Sequence, residues 1–245
     1  MDNLKALILA AGRGERMRPL TDHTPKPLLP VHGRPLIEWH LLALARDGVR
    51  EVVINTAWLE AQFPATLGDG SRFGLRIHYS MEGRDHGGAL ETAGGIAKAL
   101  PWLGECFWVV SGDIFAPDFR FDAARAQAFA AGSRLAHLWL VPNPPYHPRG
   151  DFGIGADGLG LSEPPQTVPR HTYANLALMR AELCRHLPVG RPAALGPLLH
   201  EAMRRRQISV EMYTGRWENV GTPAQWEALS APLPFGTAPP PEDRT

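Results

Sequence analysis

The chain has 245 residues, 44% of them hydrophobic, and its 25 Lys and Arg residues balance 25 Asp and Glu. That length suffices for one large α/β domain or two small ones, and the balanced charge excludes a polyanion-binding surface or membrane adhesion through bulk charge. Cys106 and Cys184 lack metal-ligand spacing and suit buried positions in a reducing compartment. The segment from residue 1 to 14 lacks a basic, signal-like start, and no apolar run approaches the roughly 20 residues of a membrane span. A cytoplasmic protein with neither membrane nor nucleic-acid partners is the expectation.

Apolar runs then alternate with segments of helical period, as in a mostly parallel sheet covered by helices. Residues 4–10 (LKALILA) lack polar alternation and read as a strand buried on both faces. Residues 35–48 (PLIEWHLLALARDG) read as a helix with Pro35 in its first turn and Gly48 at its C-cap. A strand at 51–57, a weaker helix broken by Pro64, a strand at 75–81 and a helix from 89 to 100 (ALETAGGIAKAL) follow. Residues 106–113 (CFWVVSGD) complete a β-α-β-α-β-α-β order with a strand ending at Asp113. The second half is richer in proline: RLAHLWLVP, TYANLALM and SVEMYTG read as strands, PLLHEAMRRRQ and TPAQWEALS as helices. Its Pro/Gly-rich connections predict a small antiparallel insertion beside the main sheet. The fold class expected is therefore doubly wound, Rossmann-like α/β, a mostly parallel mixed sheet flanked by helices. One domain over residues 1–229 and a disordered Pro-rich tail over 230–245 are expected.

A glycine-rich turn follows the first strand, where an α/β sheet opens onto a ligand crevice. The residues LILAAGRGERMRPL fit neither a Walker A loop, which needs Gly-Lys-Ser/Thr, nor a dinucleotide loop, whose third glycine is replaced by Met17. Gly12 and Gly14 let the backbone approach phosphate closely, while Arg13, Arg16 and Arg18 offer guanidinium forks. For Arg13 and Arg18 a solvated basic turn is the alternative. Lys26 lies between Pro25 and Pro27 on a stretch stiffened by Pro19 and Pro30.

The run LAAGRGERMRPLTDHTPKPLLPVHGRPLIEW resembles the N-terminal signature of the sugar-1-phosphate nucleotidyltransferases. LGDGSRFG, LETAGGI, SGD and RWENVGTP follow in the family's order, so the resemblance spans residues 4–226. The ETAGGI variant, NPPYHPRGDFGI and the short length look most like the uridylyl-transferring branch acting on N-acetylmuramate 1-phosphate in cell-wall recycling. Guanylyl and thymidylyl transferases acting on mannose and glucose 1-phosphates share most of these motifs. The resemblance implies that a sugar 1-phosphate attacks the α-phosphorus of a nucleoside triphosphate, UTP being favoured, with Mg²⁺ as cofactor and no covalent enzyme intermediate. It implies catalytic roles for Arg16, Lys26 and Asp113, and nucleotide contacts from Leu9, Ala10, Ala11, Gly12, Arg13, Gly14, Thr92, Gly94 and Gly95. Glu91, Asp151 and Asn175 would bind sugar, and Asp113 and Asn219 the metal. A monomer is expected, because the β-helix that trimerises some relatives is missing.

Two departures stand out. Where the family carries a second metal-binding aspartate in W-x-D-x-G-T, this chain has Asn219, an uncharged oxygen ligand, and Asn219 leaves open a weakened protein that binds nucleotide sugars without turnover. The lysine of the family's E-K-P segment is also missing from Ser162-Glu163-Pro164-Pro165, where Arg149 or Arg170 are the candidate substitutes.

Overall fold

The structure is a computed structural model and describes residues 5–231. The strands in chain order are β1 (Lys5–Leu9), β2 (Pro30–Val31), β3 (Arg34–Pro35), β4 (Glu51–Thr56), β5 (Arg76–Met81), β6 (Cys106–Ser111), β7 (Ile114–Phe115), β8 (Ala136–Val141), β9 (Phe152–Ile154), β10 (Gly160–Leu161), β11 (Arg170–Arg180), β12 (Ile208–Met212) and β13 (Glu218–Asn219). The helices are α1 (Leu36–Arg46), α2 (Gln62–Leu67), α3 (Glu82–His86), α4 (Glu91–Leu103), α5 (Ala123–Ala131), α6 (Glu182–Arg185), α7 (Leu195–Arg204) and α8 (Pro223–Ser230).

The main sheet runs β5-β4-β1-β6-β11-β8-β12. Neighbours within β5-β4-β1-β6 pair in parallel, and β11 is antiparallel to both β6 and β8. Each inner strand buries both faces, so its side chains divide by parity. Ala6 and Ile8 pack under α1, α2 and α5, through Ile37, Leu41, Phe63 and Phe129. Leu7 packs on the other side with Ile96 of α4, Leu183 of α6 and Leu199 of α7. That two-sided burial is why these strands read as continuous apolar runs.

The expected helices form, with two differences: Pro35 is the N-cap of α1 rather than part of its first turn, and Pro64 does not break α2. It occupies the first turn, where its missing N–H has no intrahelical partner to lose. The predicted antiparallel insertion is the ribbon β10-β9, laid against the start of β11. Within β11 the register to β8 shifts between Tyr173 and Ala177, and Asn175 sits in this bulge at φ 57°. A third cluster of Met17, Leu29, Val31, Phe115, Val220 and Leu229 fastens the loop after β1 to the C-terminal segment. The tail expected to be disordered lies outside the described residues from 232 onward, while Ser230 closes α8.

Candidate active site

A cleft of about 1000 Å³ opens at the carboxyl ends of β1, β4 and β6. Its floor is Leu9, Ala10, Ala11, Gly12 and Gly14, continuing from β1. A side chain at Gly12 would meet nothing within 4 Å, so the backbone there lies open to the cleft. Gly14 has φ 68°, a left-handed conformation that glycine adopts without strain.

This loop is held from below by residues that the sequence reading missed. Asn55, at the end of β4, accepts from Ala10 N–H at 2.8 Å and donates its Nδ2 to Glu82 Oε1 at 2.8 Å. Glu82 is fully buried and its other oxygen accepts from Leu90 N–H at 2.7 Å, at the head of α4. Burial pushes the Glu82 carboxyl up from its ordinary range despite these hydrogen bonds.

The same network explains two glycines. The sequence expectation sets Gly94 and Gly95 against nucleotide; in the structure neither lines the cleft, and each makes room for the protein's own chain. A Cβ at Gly95 would lie 2.6 Å from both Asn55 Nδ2 and Glu82 Oε1; at Gly94 it would lie 2.5 Å from Arg191 O. Thr92 and Glu91, at the start of the same helix, do line the cleft, and Glu91 has φ 57°.

The arginines divide. Arg13, expected at nucleotide, directs its guanidinium into the loop. It donates to Thr21 O at 2.8 Å and to Asp22 Oδ1 at 2.6 Å, and it lies 3.8 Å from the Trp58 ring centre. Arg18 pairs with Asp22 and Glu15. Arg16 lines the cleft with no ion-pair partner among the described residues, its Nη2 lying 3.4 Å from where a Gly221 Cβ would stand.

Opposite the glycine loop, Lys26 and Asp113 meet at 2.7 Å. Asp113 does not end β6 as expected but sits two residues beyond Ser111, in the turn before β7. Gly112 N–H donates to Leu9 O, and a side chain there would press on Pro27 at 3.3 Å, so glycine lets the Lys26 segment close on this turn. Burial would raise the Asp113 carboxyl, but the adjacent Lys26 ammonium and hydrogen bonds from Lys26 and Ser111 hold it below its ordinary value. Behind the turn, buried His40 donates Nε2–H to Ile114 O at 2.9 Å, and burial pushes its imidazole down to about 4.

Asn219 reaches the same place through β13, which pairs antiparallel with β7, while Val220 N–H donates to Asp113 O. Its side chain lines the cleft, and its Oδ1 is buried without a hydrogen-bond partner. A buried amide oxygen costs free energy when unsatisfied, so this acceptor is a candidate to ligate a cation or accept from a ligand. Glu218 is exposed. Among the described residues no three His, Cys, Asp or Glu side chains form a metal-binding group. A hard cation here would therefore take Asp113 and Asn219 oxygens together with oxygens from a substrate, a set that fits Mg²⁺.

The far wall comes from the ribbon and the bulged end of β11. Asn175 and Asp151 both line the cleft, with Tyr146, His147, Arg170 and His200 beside them. Asp151 accepts from Tyr173 N–H at 2.8 Å and from His147 Nε2–H at 3.0 Å. Of the two arginines considered for the missing lysine, Arg149 is exposed and does not line the cleft, whereas Arg170 does.

The chain is similar to known proteins over most of its length. Residues 5–167 match the nucleotidyl transferase family model. The chain is 48% identical over 223 residues to the N-acetylmuramate alpha-1-phosphate uridylyltransferase of Neisseria meningitidis serogroup B (strain ATCC BAA-335 / MC58), covering 89% of this chain and 94% of that protein. It is 31% identical over 244 residues to the protein of the same name from Caulobacter vibrioides (strain ATCC 19089 / CIP 103742 / CB 15), covering 93% of this chain and 96% of that one. A crystal structure of a Bacillus anthracis protein in complex with sucrose superposes with a TM-score of 0.74 at 22% identity, over 95% of this chain and 97% of that chain, a likeness of fold. No helix of the described residues is long and apolar enough to cross a membrane. With its glycine loop, Lys26–Asp113 pair and two-sided cleft, the chain belongs to the nucleotidyl transferase family, alongside the sugar-1-phosphate members it matches over most of its length.

Proposed function

We propose that this protein transfers a uridylyl group from UTP to N-acetylmuramate 1-phosphate, releasing pyrophosphate and forming UDP-N-acetylmuramate for cell-wall recycling. The observation that carries the reading is the convergence of Lys26, Asp113 and the unpartnered Asn219 oxygen opposite an open glycine loop. A phosphate oxygen of the acceptor attacks the α-phosphorus, and the bond from that phosphorus to the bridging oxygen of the leaving pyrophosphate breaks. Attacker and leaving group are both anions, so the protein's task is alignment and charge stabilisation rather than nucleophilic catalysis.

Each residue has a part in that scheme. Backbone N–H groups from Ala11 to Gly14 cradle the nucleotide, and Arg16 faces the triphosphate. Lys26 neutralises charge at the transferring group. Asp113 and Asn219 hold Mg²⁺, which when bound supplies charge stabilisation to the phosphates. Asp151, Asn175 and Glu91 face the acceptor sugar.

A pyrophosphate-release assay over UTP, GTP and dTTP against N-acetylmuramate, mannose and glucose 1-phosphates tests the reading. Turnover is expected to be fastest with UTP and N-acetylmuramate 1-phosphate. A preference for another pair would overturn the substrate assignment. Silence with every pair, despite measurable nucleotide binding, would identify a binding protein that has lost turnover.

A further inference from the structure

We propose that Arg170 is the acceptor's anion clamp, a binding residue that grips an oxyanion of the sugar phosphate from the ribbon side of the cleft. This rests on the function proposed above. The cationic side chains lining the cleft differ in their surroundings. Lys26 is engaged by Asp113, and Arg16 lies against Gly221 at the end where Asn219 and Asp113 meet. Arg170 stands at the start of β11, paired in register with Gly153 of β9, on the wall that also carries Asp151.

Its fixation sets Arg170 apart from a solvated surface arginine. One Nη donates to Asp151 O at 2.8 Å and the other to Ser162 O at 3.2 Å. Both acceptors are neutral backbone carbonyls. They order the side chain without cancelling its charge, and no carboxylate among the described residues forms an ion pair with it. The Asp151 carboxylate is taken instead by Tyr173 N–H and His147.

A guanidinium has five N–H donors, of which two are used here. Three remain on a positive group already held in place at a cleft wall. A planar, pre-ordered donor fork with uncompensated charge matches a phosphate or carboxylate, and its ordering entropy is lost before the ligand arrives. N-Acetylmuramate 1-phosphate carries both anions, its 1-phosphate and the carboxylate of its lactyl ether. The contact to Ser162 places the guanidinium beside the Ser162–Pro165 segment, which has no cation of its own.

Arg170→Gln and Arg170→Lys in the full-length enzyme test this. Thermal melts establish that each variant folds. KM values for UTP and acceptor are measured by pyrophosphate release, and acceptor affinity by isothermal titration, which needs no turnover. Arg170→Gln is expected to weaken acceptor binding roughly tenfold to a hundredfold, the range for losing charged hydrogen bonds. The UTP KM should stay within about twofold of wild type, with Arg170→Lys intermediate.

Repeating the titration with N-acetylglucosamine 1-phosphate, which lacks the lactyl carboxylate, separates the two anions. An equal loss with both acceptors assigns Arg170 to the phosphate, and a loss confined to the lactyl sugar assigns it to the carboxylate. Unchanged affinity for both acceptors, or equal losses for acceptor and UTP, would overturn the proposal. If wild-type enzyme binds acceptor and loses it in Arg170→Gln yet turns over no pair, the clamp stands and the proposed reaction fails.

Discussion

Lys26 Nζ lies 2.7 Å from Asp113 Oδ2, an ion pair closing 87 residues of chain and joining the proline-fenced segment to the turn after β6. The ammonium offsets the burial that would otherwise raise the Asp113 carboxyl. Replacing Lys26 with Met is expected to lower kcat/KM by roughly 10²–10³-fold, the scale for losing one preorganised charge-stabilising group. It should also move the acid limb of the kcat/KM profile to higher pH, since Asp113 then needs a more alkaline solution to ionise. An acid limb that stays in place would mean that this pair does not control it.

Asn219 offers an unpartnered oxygen but no charge beside Asp113. Divalent-cation binding without nucleotide is therefore expected to be weak. Asn219→Asp should strengthen it by adding a second anionic ligand. Isothermal titration with Mn²⁺ or Mg²⁺ alone reads this directly, and equal affinity in the two proteins would remove Asn219 from the ligand set.

Arg13 spends its guanidinium on Thr21, Asp22 and the Trp58 face. Arg13→Ala is expected to destabilise the fold by about 1–3 kcal/mol, through two lost hydrogen bonds of a charged donor and a cation–π contact. The KM for the triphosphate should move less than for Arg16→Ala. Chemical denaturation and steady-state kinetics on the two variants check both halves.

Gly95→Ala would ordinarily favour a helix by about 1 kcal/mol. Here the added methyl meets the Asn55–Glu82 contact at 2.6 Å, so a net destabilisation of roughly 1–3 kcal/mol is expected. Because Asn55 also holds Ala10 N–H, the KM for the triphosphate should rise with it. A variant as stable as wild type would show that this network yields without cost.

His40 has its proton affinity depressed by burial, from 6.5 to about 4. Its contribution is complete above pH 6.5. As pH falls from 6.5 toward 4 the unfolded chain takes up a proton that the folded chain refuses, and stability drops by up to about 3 kcal/mol. Urea denaturation at pH 7 and pH 5 should show about 2 kcal/mol of that loss in wild type and a shallower one in His40→Gln. Parallel pH slopes in the two proteins would assign the acid sensitivity elsewhere.

The nucleotide half of the fold was legible because its strands are buried on both faces, so β1, β4 and β6 stand out as unbroken apolar runs. Asp113 and Asn219 could be picked out from local motifs, yet only the pairing of β13 with β7 brings them together. Other expected contacts depend on packing that the sequence does not display. Gly94, Gly95 and Arg13 are of the right type to touch a ligand, but the first two pack on Arg191, Asn55 and Glu82, and Arg13 turns to Thr21, Asp22 and Trp58, partners that no motif marks. Asn55, Glu82 and His40 carried no motif at all, and buried polar residues of this sort become visible only through their partners. The antiparallel insertion is expected from its Pro/Gly-rich connections, but its strands β9 and β10, of three and two residues, have too little periodicity to be placed.

The bulge in β11 assigns the two ends of one strand to different neighbours. From Leu176 onward it is locked between β6 and β8 in the core; its opening residues, Arg170 and His171, pair only with the ribbon. The wall facing the acceptor thus hangs on a short extension, outside the register that fixes β1, β4 and β6. On the function proposed above, substitutions in residues 151–171 are expected to alter which sugar is accepted more than they disturb the Lys26–Asp113 end of the cleft.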